Sequence, residues 1–175
     1  MMMTKPLLAL LIALACGSAC ATPAPPPNLI VIDSKLVTAG QPSAEWLGTL
    51  KAQGFEAVIY LAPPTVSDAV REEPLIVAKQ GLIWANLPIP FGSPADGDYE
   101  SFAALLQALR GKKVLVHCQV NMRATTLTFL YRTLVEGADP AQAWESVSKV
   151  WTPEGPWKAL MLKRLKQKGI AFDPF

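Results

Sequence analysis

The fold is decided by the stretch Lys113-Val114-Leu115-Val116-His117-Cys118-Gln119-Val120-Asn121-Met122-Arg123. Its aliphatic run, Val114 to Val116, has no polar interruption and predicts a short strand that is buried on both faces. After Cys118 the apolar residues change to spacings of three and four, which predicts a helix; they are Leu127, Leu130, Tyr131 and Leu134. Cys118 and Arg123 therefore stand at the two ends of a short loop between a buried strand and a helix.

A loop of this kind favours the binding of an oxyanion. Backbone N–H groups at a helix N-terminus, together with the positive end of the helix dipole, attract negative charge. The planar guanidinium of Arg123 can hold two oxygens of a tetrahedral anion. A thiol at the rim of such a loop is stabilised as the thiolate, which makes Cys118 a candidate nucleophile. The simpler interpretation is a buried Cys118 that packs as a small hydrophobe, with Arg123 solvated on the helix.

These residues resemble the phosphate loop of cysteine-dependent protein phosphatases. Two further motifs, Thr38-Ala39-Gly40-Gln41-Pro42-Ser43 and Trp144…Trp151-Thr152-Pro153, are similar to a bacterial branch of dual-specificity-like phosphatases, the type associated with β-lactamase-like hydrolases. The similarity runs from Val37 to Trp157. It implies hydrolysis of a phosphate monoester, phosphotyrosine-like or small, through a phosphocysteine on Cys118. It also implies an anion loop formed by five residues: Gln119, Val120, Asn121, Met122 and Arg123.

The loop departs from the phosphatase pattern in three respects. Four residues separate Cys118 from Arg123 where phosphatases typically have five, and the shorter spacing is typical of rhodanese-like sulfurtransferases. Asn121 replaces the usual loop glycine and is the non-glycine residue that best tolerates positive φ. The expected hydroxyl after the arginine is missing at Ala124 and present at Thr125. Two alternatives therefore stay open: a sulfurtransferase with a Cys118 persulfide, and a catalytically silent anion-binding or interaction module.

The remaining roles are harder to assign from sequence. His117 is the only histidine, which excludes a Ser-His-Asp triad and a His-rich metal site; in the resembled phosphatases this position supports the loop, as Thr125 would here. The resemblance implies that the general acid is an aspartate on the segment before the helix that leads to the central strand. Asp98 there is explained as a helix N-cap, so Asp96 is the preferred general acid. A second candidate rim segment carries Asp68, Glu72 and Glu73. No metal or organic cofactor is implied.

The composition predicts one domain with an export signal. The chain has 175 residues, enough for one substantial core, and 16 Lys and Arg against 14 Asp and Glu give no sign of a nucleic-acid binder. Residues 1–21 predict a signal peptide, since Lys5 precedes a short apolar run and Ala19-Cys20-Ala21 offers a cleavage site. A periplasmic or secreted location follows, although Cys16 could instead be the lipidated residue of a lipoprotein. Cleavage after Ala21 leaves Cys118 as the only cysteine, hence a free thiol.

The rest of the chain predicts an α/β fold. Residues 22–28 are a proline-rich linker, and residues 29–175 form one phosphatase-like domain in which short apolar strands alternate with amphipathic helices. Such alternation predicts a mainly parallel central sheet flanked by helices. Two boundaries are predicted from capping residues: a helix from Ser43 to about Gln53, and a helix that Asp98 caps and Gly111 closes. The predicted partner is a phosphorylated protein or small molecule, with no stable membrane contact unless the chain is lipidated.

Overall fold

A five-stranded sheet forms the centre of the molecule. The computed structural model describes residues 22–175, so the predicted signal peptide lies outside the described residues. The strands are β1 (Ile30–Val31), β2 (Leu36–Ala39), β3 (Ala57–Tyr60), β4 (Ile83–Asn86) and β5 (Val114–His117). They are ordered β1-β2-β5-β3-β4; β1 is antiparallel to β2, and all other pairs are parallel. The predicted mainly parallel sheet is confirmed.

The register brings three strand ends together at His117. Ala39 at the end of β2 and Tyr60 at the end of β3 both lie opposite His117, the last residue of β5. The carboxyl ends of parallel strands form one edge, which is where sites in open α/β sheets are built. The segment that follows β5 therefore emerges in the middle of this edge, between two neighbouring strands.

Six helices within residues 22–175 cover the two faces of the sheet. They are α1 (Ala44–Leu47), α2 (Glu73–Lys79), α3 (Asp96–Ala108), α4 (Met122–Leu134), α5 (Pro140–Ser148) and α6 (Gly155–Gln167). Val114 and Val116 belong to one apolar cluster, together with side chains of α3 to α6, whereas Leu115 belongs to a second cluster with side chains of α1 and α2. The aliphatic run of β5 is thus buried on both faces, as its sequence predicts.

Two predicted helix boundaries are wrong. Ser43 does cap α1 through its side chain, which accepts a hydrogen bond from Trp46 N at 3.2 Å, but the α-helix ends at Leu47. Turns with i→i+3 bonds, such as Leu50 N to Leu47 O, follow as far as Gly54, and Gly48 at the C-cap lacks the propensity to extend the helix. Asp98 is the third helical residue of α3 rather than its cap, and its carboxylate accepts a hydrogen bond from Ala95 N at 2.8 Å. Among residues 22–175, no helix is both long and apolar enough to cross a membrane.

Candidate active site

The loop between β5 and α4 has the shape that its sequence predicts. Asn121 adopts a left-handed conformation with φ of 72°, which confirms its interpretation as the substitute for a loop glycine. Its buried side-chain amide donates to Asn28 O at 2.6 Å and to Thr38 Oγ1 at 3.1 Å. Asn28 in turn donates to Val120 O at 3.0 Å. The last residue of the predicted linker is therefore attached to the loop.

Gly40 allows the end of β2 to pack directly against the loop. A Cβ atom at Gly40 would lie 2.8 Å from Gln119 O and 3.0 Å from Pro27 O, both of them backbone atoms. Next to it, Gln41 N donates to Gln119 O at 2.9 Å, and Cys118 N donates to Ala39 O at 3.2 Å. On the helix side, Thr125 Oγ1 donates to Asn121 O at 2.9 Å. The loop is thus fixed from both sides through its own backbone groups.

Arg123 is a buried cation for which the described residues supply no counter-ion. The residue is 3% exposed, its Nε donates to Ile89 O at 3.0 Å, and its guanidinium carbon lies 5.1 Å from the centre of the Phe91 ring. Within residues 22–175, no carboxylate lies within ion-pairing distance of it. A buried charge without a partner is costly, so a bound anion would stabilise this arrangement. The solvated Arg123 of the simpler interpretation does not agree with this burial.

Cys118 lies deeper than its sequence position suggests. The thiol was expected at the rim of the loop, but the residue is fully buried and packs in the larger apolar cluster. The reason is that β5 continues straight into the loop from the centre of the sheet. Cys118, the first loop residue, is therefore buried like the strand residues before it. Cys118 is also the only cysteine of the described residues.

A buried carboxylate fixes the residue before the nucleophile. Glu73, in the first turn of α2, is 2% exposed, and its Oε1 lies 2.7 Å from His117 Nε2. Trp84 Nε1 donates to the same oxygen at 2.9 Å, and Gln41 Nε2 donates to Oε2 at 3.0 Å. Burial raises the pKa of Glu73, but these hydrogen bonds and the attraction of His117 outweigh burial, so that the pKa lies below its ordinary value. Glu73 is accordingly an anion that holds the His117 ring.

Tyr60 completes the buried surroundings of His117. The two rings stack with their centres 4.7 Å apart. Burial raises the pKa of Tyr60 to about 12, and the negative charge of Glu73 contributes to the same shift. The phenol therefore stays protonated at neutral pH, and its hydroxyl lies 3.5 Å from Pro63 O. The sequence placed Gln41 in a phosphatase-like motif without a role and did not single out Tyr60, because nothing in a linear pattern shows that Gln41 bonds Glu73 or that Tyr60 stacks on His117.

The structure separates the acidic candidates. The carboxylate of Asp96 pairs with Lys163 and with Arg164, whose Nε lies 3.3 Å from Asp96 Oδ1. The hydrogen bond from Lys163 lowers the pKa of Asp96, and the charges of both cations lower it further. Asp68, by contrast, accepts a hydrogen bond on Oδ1 from Gln119 Nε2 at 2.9 Å. Among the predicted acids, Asp68 thus contacts the loop directly, whereas the contacts of Asp96 are with α6.

The comparisons with known proteins agree with this geometry. No family model and no curated protein sequence matches the chain. Among solved structures, a DUF442 protein from Shewanella putrefaciens CN-32, described as a phosphatase candidate, has a TM-score of 0.72 at 27% identity over 81% of this chain and 93% of that one. Tk-PTP in its active form has a TM-score of 0.61 at 22% identity, covering 81% of this chain and 96% of its own. P. aeruginosa TpbA, solved in complex with phosphotyrosine, has a TM-score of 0.58 at 19% identity, covering 78% and 90%.

The structural neighbours are thus DUF442 proteins and protein tyrosine or dual-specificity phosphatases, which are hydrolases. The predicted resemblance and the predicted fold class are both confirmed. Among residues 22–175, no group of three or more His, Cys, Asp and Glu side chains could hold a metal ion.

Proposed function

We propose that this protein is a cysteine-dependent phosphatase that hydrolyses phosphate monoesters. The observation that carries the proposal is the buried guanidinium of Arg123, which lacks a protein carboxylate and ends a loop that begins at Cys118. A phosphate dianion bound between them would supply the missing negative charge. The likeness to a phosphatase candidate at 27% identity supports the same chemistry.

The first step transfers the phosphoryl group to sulfur. The Cys118 thiolate attacks phosphorus, an S–P bond forms, and the P–O bond to the leaving group breaks. Arg123 and the amides of Gln119 to Arg123 hold the equatorial oxygens, where negative charge is concentrated in the transition state. The first amides of α4 are available for this role because N–H groups of the first helical turn have no acceptor within the helix.

The second step regenerates the enzyme. Water attacks the phosphorus of phosphocysteine, the S–P bond breaks, and the thiolate leaves with inorganic phosphate as the product. The side chain that protonated the leaving oxygen in the first step accepts the proton from water in the second. Glu73 takes part in neither transfer, since its two oxygens already accept hydrogen bonds from Trp84 and Gln41 and face His117.

Asp68 is a better candidate for the general acid than Asp96, the residue that the sequence favours. A general acid must carry a proton when substrate binds, and the cations Lys163 and Arg164 favour the ionised form of Asp96. Asp68 lies at the loop through its hydrogen bond to Gln119, the residue after the nucleophile. We therefore assign proton transfer to Asp68, with Asp96 as the alternative that mutation can distinguish.

The experiment that tests the proposal compares two reactions. Reduced mature protein and its Cys118→Ser variant are offered an aryl phosphate in one assay, and thiosulfate with cyanide in the other. Phosphate release that requires Cys118, with little thiocyanate, is expected. Thiocyanate without phosphate would instead identify a sulfurtransferase, as the four-residue loop spacing suggests. Vanadate binding with neither product would identify a silent anion-binding module.

The location of the protein outside the cytosol is part of the proposal. The apolar segment and the small residues at Ala19-Cys20-Ala21 support cleavage after residue 21 and a periplasmic or secreted mature chain. Outside the cytosol a free thiolate is exposed to oxidants, and the full burial of Cys118 would limit their access.

A further inference from the structure

We infer that the proline-rich segment before β1 positions the anion loop, and that its last residue, Asn28, holds the loop in the shape that binds phosphate. The inference rests on the proposed function and adds to it a positioning residue that lies outside the loop. The sequence predicts residues 22–28 as a linker. In the structure, however, Pro26 is buried, and Pro27 and Asn28 form a turn beside the loop.

The segment is bonded both to the sheet and to the loop. Pro27 O accepts a hydrogen bond from Gly40 N at 2.7 Å, at the end of β2. Asn28 Nδ2 donates to Val120 O at 3.0 Å, and Asn28 O accepts a hydrogen bond from Asn121 Nδ2 at 2.6 Å. Asn28 thus bonds two consecutive loop residues, which lie 92 and 93 positions away in the chain, one through its side chain and one through its backbone.

These contacts fix a backbone conformation that the loop needs. Within residues 22–175, the non-glycine residues with positive φ are Asn28, at 50°, and Asn121, at 72°. A left-handed conformation costs a residue with a Cβ conformational free energy, so the surrounding contacts must hold it. Asn121 turns the chain from the loop into α4, and its conformation therefore sets the direction of the loop amides. The bond between Asn121 Nδ2 and Asn28 O joins the two left-handed positions.

The segment also keeps the Asn121 side chain away from the first amides of α4. Asn121 is the N-cap of α4, a position where asparagine ordinarily accepts a hydrogen bond from an amide two or three residues later. The Asn121 side chain makes no such capping bond; its amide group instead donates to Asn28 O and to Thr38 Oγ1. The amides that a capping oxygen would occupy are therefore available to an anion.

Asn28→Gly tests this inference, because glycine adopts positive φ without strain and lacks the side chain that bonds Val120 O. The loop would then spend less time in its binding shape. Calorimetry should give a vanadate Kd that is roughly three- to tenfold higher, as expected for the loss of one hydrogen bond. With an aryl phosphate, KM should rise by the same factor, and kcat should stay within about twofold because saturating substrate restores the binding shape. Pro25→Ala, at an exposed position of the same segment, is the matched control and should keep the parent values.

A second background shows whether Asn28 acts through Asn121. Asn121→Gly keeps the left-handed conformation accessible and removes the side chain that bonds Asn28 O. In this background Asn28→Gly should raise the vanadate Kd by a smaller factor than in the parent, because changes to residues in contact are not additive. Equal factors in the two backgrounds would overturn the role of the contact between the two asparagines.

Hydrogen exchange in the parent protein measures the same coupling without a variant. The Gly40 amide donates to Pro27 O, so its exchange reports the release of the segment. Coupling between two binding events is reciprocal: if the docked segment strengthens anion binding, a bound anion must also hold the segment in place. NMR should therefore show slower exchange at Gly40 in saturating vanadate. An unchanged rate would count against the inference and overturn it.

The outcomes separate this inference from the proposed function. An unchanged vanadate Kd and KM in Asn28→Gly would overturn the positioning role and leave the anion site intact. A lower kcat with both constants unchanged would give Asn28 a role in stability alone and would also overturn it. Failure of the parent protein to bind vanadate would remove the anion site itself, and the positioning role would fall with it.

Discussion

The carboxylate of Glu73 lies 2.7 Å from Nε2 of His117, although the two residues are 44 positions apart in the chain. This contact joins the first turn of α2 to the end of β5, directly before the candidate nucleophile. Both side chains are buried, at 2% and 0% exposure. A displaced carboxylate would leave the ring of His117 held only by its stacking on Tyr60. Glu73 thus positions His117, the residue before the loop, and its loss should also affect the neighbouring Cys118.

The first prediction concerns the acid stability of Glu73→Gln. The pKa of Glu73 is lowered in the folded state, so the carboxylate stabilises the fold above its unfolded value of 4.5 and loses this contribution as the pH falls through the folded pKa. Urea unfolding at several pH values should show that the parent loses stability below about pH 4.5 more steeply than Glu73→Gln does. At neutral pH the variant should be less stable by about 1–3 kcal/mol. Glu72→Gln, at the exposed neighbouring position, is the control and should follow the parent; parallel profiles for Glu73→Gln and the parent would contradict the ionic role of Glu73.

The second prediction concerns the anion clamp. Arg123→Lys should weaken vanadate binding by about 1.5–3 kcal/mol, or roughly ten- to a hundredfold, because an ammonium cannot reproduce the planar fork. Competition between vanadate and a chromogenic substrate would measure the change. Arg132→Lys, in the last turn of the same helix α4, should bind vanadate as the parent does. Unchanged binding in Arg123→Lys would show that the buried guanidinium has a structural role only.

The third prediction decides between the two interpretations of Cys118. If the thiol is the nucleophile, iodoacetamide should modify it in the folded protein near neutral pH, and phosphate or vanadate should slow the reaction by occupying the loop. Because Cys118 is fully buried, the rate should be lower than for an exposed thiolate. Mass spectrometry of the intact chain would follow the modification. Alkylation that occurs only after unfolding in urea would favour a thiol that merely fills the core.

The fourth prediction separates Asp68 from Asp96. With an alkyl phosphate, whose leaving oxygen needs a proton, Asp68→Asn should lower kcat by about 10²-fold or more, and Asp96→Asn should have little effect. With an aryl phosphate, a good leaving group, the effect of Asp68→Asn should be much smaller. The ratio of the two substrates is the measurement, since a general loss of folding would lower both rates together. The reverse pattern would identify Asp96 as the general acid.

The fifth prediction concerns the mature N-terminus. Cleavage after Ala21 should give a soluble chain that begins at Thr22, recovered from the periplasm or the medium and detected by intact-mass analysis. A diacylglycerol-modified Cys16 or Cys20 in the membrane fraction would identify a lipoprotein instead. In either case the domain that carries Cys118 begins after the processed segment, as the predicted boundaries at residues 22 and 29 imply.

Local patterns accounted for a large part of the site. Asn121 was predicted to replace a loop glycine because few other residues tolerate positive φ, and its φ of 72° confirms this. The prediction about α3 was wrong by a few residues because Asp98 can bond to the backbone from inside the first turn as well as from the cap position. Asp96 was preferred as the general acid because the sequence shows no structural role for it. Its structural role is its contact with α6, where Lys163 and Arg164 are 67 and 68 positions away in the chain.

The sequence by itself determined the strand, the loop and the helix around Cys118, because the aliphatic run and the change of period are local properties of consecutive residues. It also determined the parallel sheet, since strands that alternate with helices can pair in few other ways. Only the tertiary structure decided which carboxylates meet the loop. Glu72, Glu73, Asp68 and Asp96 are chemically alike in sequence, and what distinguishes them is the position of each side chain relative to the buried end of β5. Burial and distance set the charge and hydrogen bonds of Glu73 with His117, and no linear pattern encodes a contact between residues 44 positions apart.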